Sequence, residues 1–104
     1  MKIMLCCSDG MSTSLLVEKM KVVAIEKKID VEIWADCLAS IPSYLEKVPD
    51  IIMVGPQIKF KLKSIQETFK ETNCKVVAID MRDYGAMRGA NVLDSALKEL
   101  EVEK

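Results

Sequence analysis

The sequence predicts a single α/β domain of three layers, in which helices cover both faces of a four-stranded parallel sheet. Two observations support this prediction. First, 104 residues with 50% hydrophobic content suffice for one core, so residues 1–104 form one domain that needs neither disulfides nor metals. Second, short apolar runs alternate with helical segments along the chain. Strands connected through helices pair in parallel by right-handed crossovers, which places helices on both faces of the sheet.

The predicted strands are short apolar or β-branched runs, at residues 2–7, 31–35, 51–54 and 76–79. The first predicted helix, 12–28, opens with three hydroxyl residues that could each cap it, Ser12, Thr13 and Ser14. A small helix starts near Ser40-Ile41-Pro42 and ends before Pro49. A loop from Asp80 to Gly89 leads into the closing helix, which is marked by Leu93, Ala96, Leu97 and Leu100.

Residues 58–63 alternate apolar and Lys side chains, as an edge strand would. However, apolar residues continue at helical spacing beyond this stretch, at Ile58, Leu62, Ile65 and Phe69. The longer pattern therefore predicts a helix over 57–71.

Composition excludes several classes of function. With 15 Lys+Arg against 16 Asp+Glu, the chain lacks the positive charge that binds nucleic acid or a lipid surface. No run of about 18 apolar residues and no export segment occurs, which predicts a cytoplasmic protein without membrane insertion. The absence of His excludes Ser-His and Cys-His hydrolases and a His-ligated zinc centre. The 4 Cys have no C-x-x-C spacing, so we expect reduced thiols, no metal and no cofactor.

The turn after the first strand is the most informative segment. Cys6 and Cys7 end that strand, and a turn containing Gly10 and several hydroxyl groups leads into the first helix. A thiol at this position lies beside unpaired backbone N–H groups and the positive end of the helix dipole, which favour the thiolate. The same N–H groups could hold phosphoryl oxygens. The pattern therefore predicts that Cys7 attacks phosphorus and forms a phosphocysteine.

Two alternatives bear on this interpretation. Both thiols could be small buried hydrophobes, the commonest role of an unbridged Cys. Because successive strand side chains face opposite ways, Cys6 and Cys7 cannot share one role, and we assign packing to Cys6. Cys37 and Cys74 carry no motif and are interpreted as filler in the core or at the surface.

Known phosphate-binding loops do not match the turn. A Cys-x5-Arg phosphatase loop would need Arg where this chain has Thr13, and the turn lacks the Gly-Lys-Ser of a Walker loop. The dinucleotide fingerprint G-x-G-x-x-G is also missing. A receiver domain is excluded because the third strand ends at Gly55 without a phosphoacceptor Asp. The site is thus expected to hold a phosphoryl group and pass it on.

Residues 5–16, Leu-Cys-Cys-Ser-Asp-Gly-Met-Ser-Thr-Ser-Leu-Leu, closely resemble the active loop of enzyme IIB components of the bacterial sugar phosphotransferase system, of the lactose/cellobiose/chitobiose type. The likeness continues through Asp50 to Ile58, which includes Gly55-Pro56-Gln57, and through Val77 to Asp80. It extends to Asp83-Tyr84-Gly85 and Gly89, so that it covers essentially the whole chain in order.

This resemblance implies a fold similar to that of the low-molecular-weight tyrosine phosphatases. It also implies that Cys7 accepts a phosphoryl group from a phosphohistidine of a IIA protein. Cys7 then passes this group to a sugar, expected to be a β-linked disaccharide, that enters through the membrane transporter IIC. The phosphoryl-binding loop would consist of Ser8, Asp9, Gly10, Met11, Ser12, Thr13 and Ser14.

Asp9 departs from the family pattern, because relatives commonly carry a small neutral residue there. A carboxylate about 6 Å from the phosphoryl group costs roughly 3 kcal/mol per unit charge at an effective dielectric near 20, so we expect Asp9 to point outward. Gln57 and Tyr84 are candidates for contacts with a partner or with the loop. Two further functions stay open: a IIB-like regulatory phosphoprotein, and a thiol phosphatase, which the missing Arg disfavours.

Overall fold

The four strands form one parallel sheet in the order β2-β1-β3-β4, which confirms the predicted fold class. The structure is a computed structural model that describes residues 1–8 and 11–101, except for the side chains of residues 11 and 12. The strands are β1 (Lys2–Cys7), β2 (Glu32–Cys37), β3 (Ile51–Val54) and β4 (Lys75–Ala78).

The α-helices are α1 (Met11–Glu26), α2 (Leu62–Thr68), α3 (Met81–Gly85) and α4 (Gly89–Glu101). Two 3-10 helices, Leu38–Leu45 and Pro56–Lys61, follow β2 and β3. Because α1 begins at Met11, Thr13 and Ser14 lie inside its first turn, and the prediction that they cap the helix is wrong.

Two further predictions need correction. The helix predicted over 57–71 is divided into a 3-10 segment and α2, because Ile58, at φ −121° and ψ 27°, leaves the helical conformation. The predicted loop from Asp80 to Gly89 contains α3, whose N-cap is Asp80. The Asp80 carboxylate accepts hydrogen bonds from the backbone N–H groups of Arg82 and Asp83, at 2.8 and 3.2 Å. These bonds hold the pKa of Asp80 below its usual value.

The sheet separates two apolar clusters. On one face, Ile3 and Leu5 of β1 pack with buried residues of α1 and α4. On the other face, Met4 and Cys6 pack with Ile65 and neighbouring residues of α2. This alternation follows from the two-residue period of a strand. It confirms that Cys6 is a packing residue on the face opposite to Cys7.

Helices α1 and α4 approach each other closely at Gly89. A Cβ atom built on Gly89 would lie 2.9 Å from the backbone carbonyl carbon of Lys19 and 3.0 Å from the backbone nitrogen of Met20. Only a residue without a side chain fits this distance. Gly89 therefore allows α4 to pack closely against α1, whose first turn lies beside Cys7.

Candidate active site

Cys7 lies at the point of the sheet where ligands of such folds bind. Its strand, β1, is an inner strand, and the chain passes first to β2 on one side and then to β3 on the other. The helical connections that follow β1 and β2 thus lead to opposite sides of the carboxyl end of β1. In open α/β sheets this divergence creates the crevice that holds the ligand.

The first turn of α1 contacts the Cys7 sulfur. The Thr13 hydroxyl donates a hydrogen bond to Cys7 Sγ over 3.4 Å, and both residues have 0% exposure. A hydroxyl donor stabilises negative charge on sulfur more than it stabilises the neutral thiol. Thr13, at the position where a phosphatase loop would carry Arg, thus supports a thiolate at Cys7 without adding a charge.

Replacing Thr13 by Val tests this contact, because Val keeps the shape and removes the donor. A loss of about 1 kcal/mol of thiolate stabilisation would slow alkylation of Cys7 at neutral pH about five-fold. The rate is measured by mass spectrometry with iodoacetamide, and Thr13→Ser, which retains the hydroxyl, serves as the control. Equal alkylation rates in the wild type and Thr13→Val would show that the hydrogen bond does not activate the sulfur.

Gly55 brings the end of β3 close to the acceptor. Its N–H donates to the Cys6 carbonyl oxygen over 2.8 Å. A Cβ atom on Gly55 would lie 3.6 Å from Cys7 Cβ and 3.1 Å from Gln57 Oε1. The glycine therefore allows the exposed Gln57 to fold back beside the acceptor strand, at the same edge of the sheet as Cys7.

Two of the other thiols are poor nucleophiles. Burial, with smaller effects from negative charge on Cys7, Cys37 and Asp36, raises the pKa of Cys6 to about 12. Burial also raises the pKa of Cys74 to about 12. At neutral pH both remain protonated, which disfavours them as phosphoryl acceptors.

A polar network at the end of β2 was not predicted from the sequence. Trp34 Nε1 donates to the Tyr44 hydroxyl over 3.0 Å, and this hydroxyl donates to Asp36 Oδ2 over 2.5 Å. Burial raises the pKa of Asp36, but hydrogen bonds from Tyr44 and from the Cys37 backbone N–H outweigh it and lower the pKa overall. Burial and the bond to Asp36 raise the pKa of Tyr44.

This network was missed because the sequence prediction ended the second strand at residue 35. The strand continues to Cys37, which pairs in register with Cys7. Alternation of apolar residues at Ile33, Ala35 and Cys37 was the signal that could have extended it.

Other predicted site residues are distributed as follows. Ser8 is exposed after β1 and Ser14 is exposed in the first turn of α1, whereas Asp9, Gly10 and the side chains of Met11 and Ser12 lie outside the described part of the chain. Tyr84, a candidate contact residue in the predicted loop from Asp80 to Gly89, lies in α3 and is 7% exposed, packed into the cluster beneath α1 and α4.

Among the described residues, no group of three or more His, Cys, Asp or Glu side chains could hold a metal ion. None of the described helices is long and apolar enough to cross a membrane.

Comparison with known proteins identifies the family. The family described as "PTS system, Lactose/Cellobiose specific IIB subunit" matches residues 2–95, which include Cys7 and Gln57. The chain belongs to this family. As a IIB component it is a sugar phosphotransferase, which confirms the resemblance noted in the sequence.

The IIB component is similar to several curated relatives over most of their length. It is 40% identical over 98 residues to the galactose-specific EIIB component of Lactococcus lactis subsp. cremoris (strain MG1363), covering 90% of this chain and 91% of the relative. It is 39% identical over 98 residues to the cellobiose-specific EIIB component of Lactococcus lactis subsp. lactis (strain IL1403), with the same coverage. It is 40% identical over 96 residues to the oligo-beta-mannoside-specific EIIB component of Bacillus subtilis (strain 168), covering 92% of both chains.

Solved structures of IIB components share the fold. The cellobiose-specific IIB component of Borrelia burgdorferi superposes with a TM-score of 0.79 at 32% identity, covering 97% of this chain and 92% of that one. The lactose-specific IIB domain of Streptococcus pneumoniae superposes with a TM-score of 0.83 at 15% identity, covering 94% and 95%. At this lower identity the second likeness concerns the fold alone.

Proposed function

We propose that this IIB component carries a phosphoryl group on Cys7, taking it from a phosphohistidine of a IIA protein and giving it to a sugar at the membrane transporter IIC. The observation that carries the proposal is the position of the Cys7 sulfur, at the carboxyl end of β1 and hydrogen-bonded to Thr13 in the first turn of α1. The loop of residues 8–14 is proposed to hold the phosphoryl oxygens, and the exposed Gln57 to contact a partner.

The exchange consists of two displacements at phosphorus. The Cys7 thiolate attacks the phosphoryl group of IIA, so that the S–P bond forms as the N–P bond breaks and the imidazole leaves. A sugar hydroxyl then attacks the phosphocysteine. The O–P bond forms, the S–P bond breaks, the hydroxyl proton passes to water, and Cys7 returns as thiolate. Backbone N–H groups of the loop would stabilise the charged oxygens in both steps.

We propose a β-linked disaccharide as the sugar. Two of the similar relatives are named for cellobiose and for oligo-beta-mannoside, which support this class, and a third is named for galactose. We also propose that the exchange takes place in the cytoplasm, where thiols are kept reduced and can accept a phosphoryl group.

The stability of the phosphocysteine in the isolated protein distinguishes a phosphocarrier from a phosphatase. The chain is phosphorylated with the general phosphotransferase proteins and a lactose/cellobiose-type IIA, freed of its donors, and followed by mass spectrometry. Because Thr13 stands where a phosphatase has Arg, we expect the phosphocysteine to persist in buffer. We expect it to discharge when dephosphorylated IIA, or IIC membranes with cellobiose, are added.

Two outcomes would contradict this proposal. Rapid release of inorganic phosphate from the isolated protein, or Cys7-dependent turnover of aryl phosphates, would indicate a thiol phosphatase. Stable phosphorylation without discharge to any β-linked disaccharide in membranes with the cognate IIC would indicate a regulatory phosphoprotein.

A further inference from the structure

The acceptor cysteine has a second thiol as its neighbour across the sheet. Cys7 and Cys37 are the last residues of β1 and β2, and their Cα atoms are register partners in this parallel pair. Adjacent strands lie about 4.8 Å apart, which falls within the Cα separation of disulfide bonds, roughly 4.4 to 6.8 Å. The backbone thus places the two residues within bridging range.

Both side chains leave the sheet on the same face. The residues two positions earlier, Leu5 and Ala35, are also register partners, and both pack against the cluster beneath α1 and α4. By strand periodicity Cys7 and Cys37 project from that face as well. Cys6 projects from the opposite face into the other cluster, so it is not positioned to bridge Cys37 in the same way.

We propose that Cys7 and Cys37 form a reversible disulfide under peroxide, and that this bridge blocks the acceptor site. The half-buried Cys37 sulfur contacts the Ser40 hydroxyl at 3.4 Å and the Asp36 carboxylate, and rotation about χ1 can release it from both. The Cβ atoms must approach by about 1 Å from strand spacing to reach the mean disulfide separation near 3.8 Å. Such a shift is feasible because each residue ends its strand.

Forming the disulfide consumes one molecule of hydrogen peroxide as the oxidant. Peroxide converts the Cys37 thiol to a sulfenic acid and is reduced to water. The Cys7 thiol then attacks the Cys37 sulfur, the S–OH bond breaks, and the hydroxyl leaves with the Cys7 proton as a second water. The two thiols lose two electrons and two hydrogens in total, and a dithiol reductant reverses the reaction.

The functional consequence rests on the proposed role of Cys7 as phosphoryl acceptor, but the bridge itself does not. A sulfur atom in a disulfide bond is not a thiolate and cannot act as the nucleophile toward phosphorus. Oxidation would therefore stop phosphoryl acceptance until the bridge is reduced.

Peptide mapping tests the bridge directly. The full chain is treated with hydrogen peroxide at low protein concentration, alkylated, and digested with trypsin without reduction. We expect peptide 3–19 joined to peptide 29–47, with the loss of two hydrogens, in a protein that remains monomeric on a non-reducing gel. The joined peptides should persist in Cys6→Ala and Cys74→Ala and be absent in Cys7→Ala and Cys37→Ala.

Joined peptides in Cys7→Ala would assign the bridge to Cys6 and overturn the proposal. Sulfinic or sulfonic products without any joined peptide would overturn it as well.

A parallel assay measures phosphorylation by phosphorylated IIA after peroxide. We expect at least a ten-fold loss that dithiothreitol reverses in the wild type, and no reversible loss in Cys37→Ser. Failure of the reduced wild type to accept phosphate would instead count against the proposed function, and leaves the mapped bridge in place.

Discussion

Replacement of Cys7 by Ser is expected to abolish phosphoryl acceptance from IIA, with a loss on the order of a thousand-fold or more, as when a catalytic nucleophile is removed. A serine hydroxyl is not ionised at neutral pH and needs a base to remove its proton. The chain has no His to serve as that base. Incubation with phosphorylated IIA followed by intact-mass measurement should show one added phosphate in the wild type and none in Cys7→Ser.

The neighbouring thiol provides the matched control. Cys6 packs on the opposite face of the sheet from Cys7, so Cys6→Ala should still accept one phosphate. Labelling that survives in Cys7→Ser, or that disappears in Cys6→Ala while the protein remains folded, would contradict the assignment of the acceptor.

Replacement of Gly89 by Ala is expected to lower the free energy of unfolding by about 1 to 3 kcal/mol. The added methyl group would lie 2.9 Å from the backbone of Lys19, so that helix α1 or α4 must shift. Urea unfolding monitored by circular dichroism measures the change. Because α1 carries Thr13 against the Cys7 sulfur, we also expect slower phosphorylation in this variant.

Gly85→Ala is the control for this substitution. A Cβ atom at Gly85 has no atom within 4 Å, and the residue does not adopt the left-handed conformation. Its stability should be unchanged or increase by up to about 1 kcal/mol, because the unfolded chain loses entropy. Equal stability of the two variants would show that the contact between α1 and α4 relaxes without cost.

The sequence predicted those parts of the site that depend on local pattern. The period of two along β1 separates Cys6 from Cys7, and the run of hydroxyl residues after Gly10 marks the turn into α1. Both predictions use only the spacing of neighbouring residues. The structure agrees with the first. The contact of Thr13 with the Cys7 sulfur, from inside the first turn of α1, was not predicted.

Features that depend on distant residues were not predictable in this way. The Asp36 carboxylate accepts a hydrogen bond from the Tyr44 hydroxyl, eight residues away, and no local spacing indicates this contact. Tyr84 lies in a helix of 5 residues, too short to show a period, and its burial depends on the packing of α1 and α4.

The central position of β1 also affects how the domain assembles during synthesis. This strand leaves the ribosome before both of its hydrogen-bonded neighbours, β2 at residues 32–37 and β3 at residues 51–54. Until residue 54 has emerged, Cys7 belongs to a strand with at least one unpaired side. The acceptor is thus made before both strands that flank it, and the sheet is complete around β1 only after residue 54 has emerged.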